Sequence, residues 1–222
     1  MNKNSKMNKK YLEEVKLCYN MTADEYSKKF INELDQKPFD RNILDRFSAM
    51  IPAKGIIYDF GCGSGQTTKY LYDKNEHSIT GLDFSENAVK LALENFPEIK
   101  FIVDDMLNSK MNSHSADGII AFYAIVHFEY EDIKKVLLEW YRILKSNGHC
   151  LFCFHTGEGK VYIKDFLGVN GANAAWHFLD TDKIIKLSEE IGFRVVESVI
   201  RYPYKNIEHE SKRAYIILEK IT

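Results

Sequence analysis

The sequence has no long apolar run, few cysteines and no excess of charge of either sign. Its 222 residues include 30 basic and 32 acidic side chains, for a net charge of −2, and four cysteines. No apolar segment approaches the length of a membrane span. The part of the chain expected to fold has no dense basic cluster, which argues against nucleic acid as the main partner, because phosphate contacts need clustered lysines and arginines. With no internal repeat or low-complexity segment, the chain is expected to fold as one globular domain.

The four cysteines predict neither a disulfide nor a metal site. They are Cys18, Cys62, Cys150 and Cys153. Only the last two are in a C-x-x-C spacing, and they lie in an apolar run typical of a strand. Side chains three apart on a strand point to opposite faces, so this pair would not readily hold one metal. We interpret all four as reduced and mostly buried, and we propose no metal.

A basic patch occupies the start of the chain, with lysines at positions 3, 6, 9 and 10. We expect residues 1–10 to be disordered and solvated. No apolar core of a signal peptide follows these lysines, so a cytoplasmic protein is expected. Residues 11–222 are expected to form a single domain.

Residues 56–68 are the stretch around which the chain is organised. A short apolar run ends at Asp59, and Gly61, Gly63 and Gly65 follow at alternate positions. The run is too short for a helix and is typical of a buried strand. Glycines allow a ligand to approach the bare backbone. The polar and then apolar pattern after Gly65 predicts a helix, whose first N–H groups favour an anionic ligand group.

Two further strand-like segments end in acids. Residues 78–83 end in Asp83, and residues 101–103 are followed by Asp104 and Asp105. In doubly wound folds, an acid at the end of the second strand accepts the ribose hydroxyls of an adenosine. A dinucleotide fingerprint would place its third glycine at position 66, where the chain has Gln66. This spacing disfavours a nicotinamide-dependent oxidoreductase.

The pattern D-x-G-x-G-x-G at residues 59–65, with the two later acids, resembles motif I of the class I S-adenosylmethionine-dependent methyltransferases. The resemblance extends over about residues 19–220. It implies an α/β fold, Rossmann-like and doubly wound, with a mostly parallel seven-stranded sheet and an antiparallel last strand. Residues 11–52 would form an N-terminal helical cap, and the implied cofactor is S-adenosyl-L-methionine.

The resemblance also implies roles at the cofactor. The glycines Gly61, Gly63 and Gly65 would pack against its methionine part, and Asp59, under the loop, would orient its amino group through water. Asp83 would accept the ribose hydroxyls. The remaining contacts would involve adenine or the cofactor's ammonium, and they would come from Phe84, Asp105, Met106 and the end of the fourth strand around Phe122.

Residues 19–26 have the form Y-x-x-x-A-x-x-Y, which resembles the first helix of many small family members. There, tyrosines cover the methyl donor, a role that would fall to Tyr19 and Tyr26. Core packing on an amphipathic helix is the alternative for each. Thr22 and Glu25 form a capping box that predicts a second helix starting at this point. Caps are also predicted at Asp40, Ser85 and Thr181.

Residues 156–180 interrupt the alternation of strands and helices and are rich in glycine and aromatic side chains. We interpret them as a lid-like insertion near the substrate, with an irregular connector as the alternative. His127 is the candidate general base, because it follows the fourth strand and a histidine ordinarily titrates near neutrality. A structural histidine is the alternative. Substrate contacts are predicted for Tyr123, His155, Trp176 and His177.

The expected reaction is methyl transfer to oxygen or nitrogen of a small-molecule acceptor, by a monomer or homodimer without a nucleic-acid or membrane partner. The alternatives are a methyltransferase acting on tRNA or protein and a cofactor-binding protein without turnover. The late residues Arg201, Arg213 and Tyr215 are expected to have structural roles at strand ends.

Overall fold

The computed structural model describes residues 3–74 and 76–221. It contains six α-helices among these residues: α1 Lys3–Phe30, α2 Pro38–Met50, α3 Gln66–Lys74, α4 Glu86–Asn95, α5 Tyr130–Ile143 and α6 Thr181–Ile191. Its strands are β1 Ile56–Phe60, β2 Ser78–Asp83, β3 Lys100–Val103, β4 Ala116–Phe122, β5 Leu144–Thr156, β6 Lys160–Ile163, β7 Ala174–His177, β8 Phe193–Arg201 and β9 Lys212–Lys220.

Seven of the strands form one sheet in the order β3-β2-β1-β4-β5-β9-β8. Strands β1 to β5 are parallel, and β9 runs antiparallel to both β5 and β8. The predicted fold class is therefore confirmed. The strand order reverses between β1 and β4, and in such sheets ligands bind at the carboxyl ends of the strands on either side of this point.

Helices cover both faces of the sheet, because successive strand residues alternate between two apolar layers. On β5, Cys150, Phe152 and Phe154 pack with α5 and α6, whereas Leu151 and Cys153 pack with α2 and α3. The two cysteines thus lie on opposite faces, as predicted, and all four cysteines are buried and unpaired. Within residues 3–74 and 76–221, no helix is long and apolar enough to cross a membrane.

Three of the predicted helix caps are wrong. Thr22 lies inside the continuous helix α1, where its hydroxyl donates to the carbonyl of Cys18 at 2.9 Å instead of starting a new helix. Asp40 is buried inside the first turn of α2, which begins at Pro38, and does not precede the helix as a cap would. The cap of α6 is Asp180, one residue before the predicted Thr181. The cap at Ser85 is confirmed, since its hydroxyl accepts from the N–H of Ala88.

The first ten residues were expected to be disordered. Residues 1 and 2 lie outside the described residues, and from Lys3 the backbone is already helical. No glycine or proline occurs between residues 3 and 30, so nothing in the sequence ends the helix before Phe30. The helix that was expected in two pieces is therefore one.

Residues 156–180 form an antiparallel ribbon of β6 and β7, joined through a short 3₁₀ turn at Phe166–Gly168. The ribbon lies against α1, and Phe166 packs with Tyr19 and Trp176. This segment therefore has regular secondary structure, unlike the irregular connector given as the alternative. Its action as a lid stays a prediction.

Candidate functional site

A cavity of about 380 Å³ lies at the carboxyl edge of the sheet, between the ends of β1 to β4 and helix α1. This is a usual size for a small-molecule site. Eleven of the predicted site residues line it: Tyr19, Tyr26, Gly61, Gly63, Asp83, Phe84, Asp105, Met106, Phe122, Tyr123 and His127. Five predicted residues do not line it: Asp59, Gly65, His155, Trp176 and His177.

The glycine loop after β1 leaves space that any side chain would fill. Gly61 has a φ of 73°, and a Cβ added there would lie 2.4 Å from the Cβ of Ala124. Gly63 also has a positive φ, and its added Cβ would touch the ring of Tyr26 at 3.4 Å. Both positions favour glycine for conformation and for space. An added Cβ on Gly65 would instead lie 2.8 Å from the ring of Phe101, so that glycine allows core packing.

Asp83 ends β2 and holds the glycine loop. Its Oδ2 accepts from the N–H of Gly63 and its Oδ1 from the N–H of Ser85, each at 2.9 Å. Burial raises the pKa of this carboxyl, and the backbone hydrogen bonds lower it in part. Because a carboxylate oxygen has a second lone pair, both oxygens can still accept from a ligand hydroxyl.

Asp59 lies under the glycine loop and does not line the cavity. Its Oδ2 accepts from the hydroxyl of Thr68, 2.6 Å away in the first turn of α3. Burial raises the pKa of Asp59 to about 7. The side chain therefore ties β1 to α3. Its predicted action on a bound amino group stays a prediction.

The two acids after β3 have different surroundings. Asp104 is buried and accepts from the hydroxyl of Ser109 at 2.5 Å and from the N–H of Lys110. Asp105 is exposed and lines the cavity, and its carboxylate accepts a local bond from the N–H of Leu107. Asp105 is thus the acid that remains accessible to a ligand in the cavity.

Tyr19 and His127 form a hydrogen-bonded pair on the cavity wall. Tyr19 Oη lies 2.9 Å from His127 Nε2, and His127 Nδ1 lies 3.0 Å from the carbonyl oxygen of Ala175 in β7. A carbonyl can only accept, so Nδ1 carries the proton and Nε2 accepts from the Tyr19 hydroxyl. Burial lowers the pKa of His127 to about 4. A histidine ordinarily titrates near neutrality, whereas the surroundings of His127 disfavour the charged imidazolium; its role as the general base stays a prediction.

The sequence did not predict this pairing. Tyr19 and His127 are 108 residues apart, and the carbonyl that fixes the tautomer belongs to a third segment. The Y-x-x-x-A-x-x-Y pattern pointed to Tyr19 but not to its partner. The second tyrosine of that pattern, Tyr26, packs against the rings of Tyr19 and Phe30 and faces Gly63.

Three predicted substrate residues lie behind the cavity wall or beside it. His155 stacks on Trp176 at 5.9 Å between ring centroids, and its Nδ1 lies 2.8 Å from the hydroxyl of Ser211. Burial lowers the pKa of His155 to about 3. His177 lies on the ribbon beside the ring of Tyr11. The structure therefore brings Tyr123, but not these three, to the cavity.

Tyr123 has an unusual backbone at the end of β4, with a φ of 55°. Its ring lines the cavity, and its hydroxyl lies 3.3 Å from that of Tyr215. Tyr215 in turn bonds to Asp40 and to Arg201 Nη2, the latter at 2.7 Å.

Asp40, Glu208, Arg201 and Arg213 form a buried ion network. Arg201 reaches Asp40 at 3.1 Å and Glu208 at 2.7 Å. The Nε of Arg213 lies 3.2 Å from Glu208 without hydrogen-bond geometry. The network joins α2 to β8, β9 and the loop between them, in agreement with structural roles for the late arginines. It also explains why Asp40, predicted as a cap, is buried.

The cavity fits an adenosine joined to an amino acid. The bare backbone at Gly61 and Gly63 leaves room for a chain, the carboxylate of Asp83 can accept from two hydroxyls, and the ring of Phe84 borders the space next to it. Asp105 lies further along the same edge, where it can accept from an amino group.

Comparison with known proteins finds methyltransferases. A family model described as a methyltransferase domain matches residues 57–148. An O-methyltransferase of Pyrenophora dematioidea is 26% identical over 174 residues, or 72% of this chain and 62% of that protein. Phosphoethanolamine N-methyltransferase 2 of Caenorhabditis elegans is 25% identical over 187 residues, or 81% of this chain and 42% of that protein. The chain thus spans less than two thirds of either relative.

A solved structure of a methyltransferase from Methanosarcina mazei, dependent on S-adenosylmethionine, superposes with a TM-score of 0.70. It is 16% identical, and the match covers 78% of this chain and 95% of that one. At this identity the likeness shows the fold. Together with the family model and the glycine loop with its strand-end acids, it shows that the chain carries, at residues 57–148, a methyltransferase domain similar to those of the class I S-adenosylmethionine-dependent methyltransferases.

Proposed function

We propose that this protein transfers the methyl group of S-adenosylmethionine to an oxygen or nitrogen atom of a small-molecule acceptor. The observation that carries the proposal is the Tyr19–His127 pair, which lies on the wall of a cavity whose other side is formed by Asp83 and the glycine loop. A site that only bound the cofactor would not need a hydroxyl and a neutral imidazole side by side at this wall.

When bound, the cofactor supplies a sulfonium with an electrophilic methyl group. The chain's own task is then mainly to align the acceptor and exclude water. Helix α1 covers the cavity, and Tyr26 and Phe84 add rings to its wall. In this proposal Asp83 holds the ribose, and Asp105 accepts from the adenine amino group.

Proton removal follows from the tautomer of His127. The acceptor would donate its proton to Tyr19 Oη while the Tyr19 hydroxyl passes its own proton to Nε2, and Nδ1–H would keep its bond to Ala175. A pKa of about 4 makes His127 a weak base in the resting site. Bonding to the methyl group makes the acceptor atom far more acidic, so a weak base at this position is sufficient.

The relatives support an oxygen or nitrogen acceptor, since one is named an O-methyltransferase and the other a phosphoethanolamine N-methyltransferase. The near-neutral charge balance disfavours tRNA as acceptor. The proposal includes a cytoplasmic location, which the unpaired cysteines favour.

The test is to incubate the protein with methyl-labelled cofactor and a panel of small phenols and amino alcohols, with phosphoethanolamine among them, and to identify labelled products by mass spectrometry. We expect Tyr19→Phe and His127→Ala to lower turnover by about 10²–10⁴. Tyr11→Phe is the matched control. It removes a hydroxyl of the same helix that bonds to the same carbonyl, Ala175 O, from outside the cavity. Full turnover in both site variants, or label only in added tRNA or protein, would contradict the proposal.

A further inference from the structure

One side chain of helix α1, Asn20, makes several hydrogen bonds to the start of helix α4, and its Nδ2 donates to Glu86 Oε2 at 3.2 Å. Its Oδ1 accepts from the hydroxyl of Ser85 at 2.7 Å and from the N–H of Asn87 at 3.2 Å. Its backbone carbonyl accepts from Asn87 Nδ2 at 2.8 Å. The first N–H groups of a helix have no partner within the helix, so an oxygen from another element satisfies a real need there. Asn20 thus adds a cap to α4 from a different helix.

This attachment point lies between the two sides of the candidate site. On one side, the N–H of Ser85 donates to Asp83 Oδ1 at 2.9 Å. On the other, Asn20 is the direct neighbour of Tyr19, whose hydroxyl bonds to His127 at 2.9 Å. A continuous chain of contacts therefore runs from the acid at the end of β2, through Ser85 and Asn20, to the pair on the cavity wall.

Two other polar contacts join these helices: Lys16 pairs with Glu86 at the start of α4, and Asn95 Nδ2, at its end, donates to the hydroxyl of Ser27 at 3.2 Å. Lys16 and Glu86 form an ion pair, but their side chains are 31% and 56% exposed. Exposed pairs of this kind contribute little, because water screens the charges and two long side chains must be held still. Asn20 is half-buried and uses a short side chain that loses little freedom. At the start of α4, the seating of α1 therefore depends mainly on Asn20 among these polar contacts.

We infer that Asn20 is a positioning residue that couples cofactor binding at Asp83 to the seating of α1, and so to the placement of Tyr19 against His127. The inference depends on the proposed function in one respect, namely that the cavity binds the cofactor. A ligand held by Asp83 restricts the motion of the Ser85 N–H and of the start of α4. Through its bonds to Ser85 and Asn87, Asn20 then restricts the motion of α1 as well. In the other direction, a seated α1 closes the cavity and slows release of the ligand.

The test measures affinity and local protection together, with S-adenosylhomocysteine as the probe. We expect Asn20→Ala to weaken its calorimetric affinity at least tenfold. In the wild type, the ligand should slow hydrogen exchange in α1 residues 12–25 and in β2. In Asn20→Ala the protection of β2 should remain at saturating ligand, whereas that of α1 should be lost. A residue with a merely structural role would change both regions together, or neither.

Three further variants keep the inference falsifiable. Asn20→Asp retains the oxygen that accepts from Ser85 and Asn87 but loses the bond from Nδ2 to Glu86, so it should recover only part of the affinity that Asn20→Ala loses. Asn87→Ala removes one exposed contact and should give an intermediate loss even if Asn20→Ala folds poorly. Lys28→Ala is the control on the same helix: it removes an exposed ion pair with Glu25 away from the cavity and should stay within twofold.

A wild-type protein that does not bind S-adenosylhomocysteine would overturn the proposed function itself. A wild type that binds, with Asn20→Ala equal to it in affinity and in α1 protection, would overturn only the coupling through Asn20.

Discussion

Replacing Asp83 by asparagine should weaken both the fold and the cofactor site. Each carboxylate oxygen of Asp83 accepts a backbone N–H at 2.9 Å, and the residue is 7% exposed. Asparagine keeps one accepting oxygen and turns an NH₂ group toward the other N–H. One buried N–H then loses its charge-assisted partner, which costs about 1.5–3 kcal/mol of unfolding free energy. The ribose loses a charge-assisted bond as well, about 2–3 kcal/mol of binding, or about two orders of magnitude in Kd.

Denaturant unfolding of the ligand-free protein and calorimetric titration with S-adenosylhomocysteine separate the two effects. Asp105→Asn is the matched control, because Asp105 lines the same cavity but is exposed and holds only a local bond. We expect it to leave the unfolding free energy within about 0.5 kcal/mol of the wild type. An Asp83→Asn protein with normal affinity would refute the ribose contact, and one with normal stability would refute the account of the loop.

Two further substitutions test the loop and the histidine. Gly61→Ala should abolish measurable cofactor binding and lower the melting temperature, because the added Cβ would meet Ala124 at 2.4 Å on a backbone with a φ of 73°; unchanged binding would contradict this. The folded pKa of His127, about 4, lies below its ordinary 6.5, so its contribution to stability is present above pH 6.5 and is lost as pH falls toward 4. When the pH is lowered from 7.5 to 5, the free energy of unfolding, measured in urea, should therefore fall by about 2 kcal/mol more in the wild type than in His127→Gln. Equal losses would contradict the buried, neutral imidazole. The comparison with the variant is needed because Asp59 also makes stability depend on pH. Its pKa is raised to about 7, so its contribution to the free energy of unfolding is lost as pH rises.

The parts of the fold predicted correctly are those that short segments encode. The apolar run before Asp59, the glycines after it and the later acid Asp83 each depend on neighbours within a few residues, so strand, loop and acid could be located from the sequence. The cap at Ser85 was predicted correctly for the same reason, since it depends on residues close to it in the sequence. These local signals were enough to place one edge of the cavity.

The errors concern residues whose partners lie far along the chain. Thr22 has the residue type and spacing of a cap, but α1 continues through this position without a break. Its buried hydroxyl therefore bonds to the carbonyl of Cys18, one turn earlier in the same helix. Asp40 bonds to Arg201 and Tyr215, more than 160 positions later. The substrate residues His155 and Trp176 were predicted from their chemistry, but their rings stack on each other and neither residue lines the cavity.

The pairing of Tyr19 with His127 needed the same kind of information. Three segments meet there: α1, the turn after β4, and β7 of the ribbon. A sequence pattern could indicate each residue alone, but the protonation state of the imidazole follows from burial and from the carbonyl of Ala175, which only the fold supplies.

Calorimetric titration of the wild-type protein with S-adenosylmethionine and, separately, with NAD tests the central claim most directly. The glycine loop, Asp83 and Asp105 predict a micromolar Kd for the sulfonium cofactor, or roughly 7–8 kcal/mol, and no measurable heat with NAD. A clear NAD isotherm with no response to S-adenosylmethionine would contradict the account.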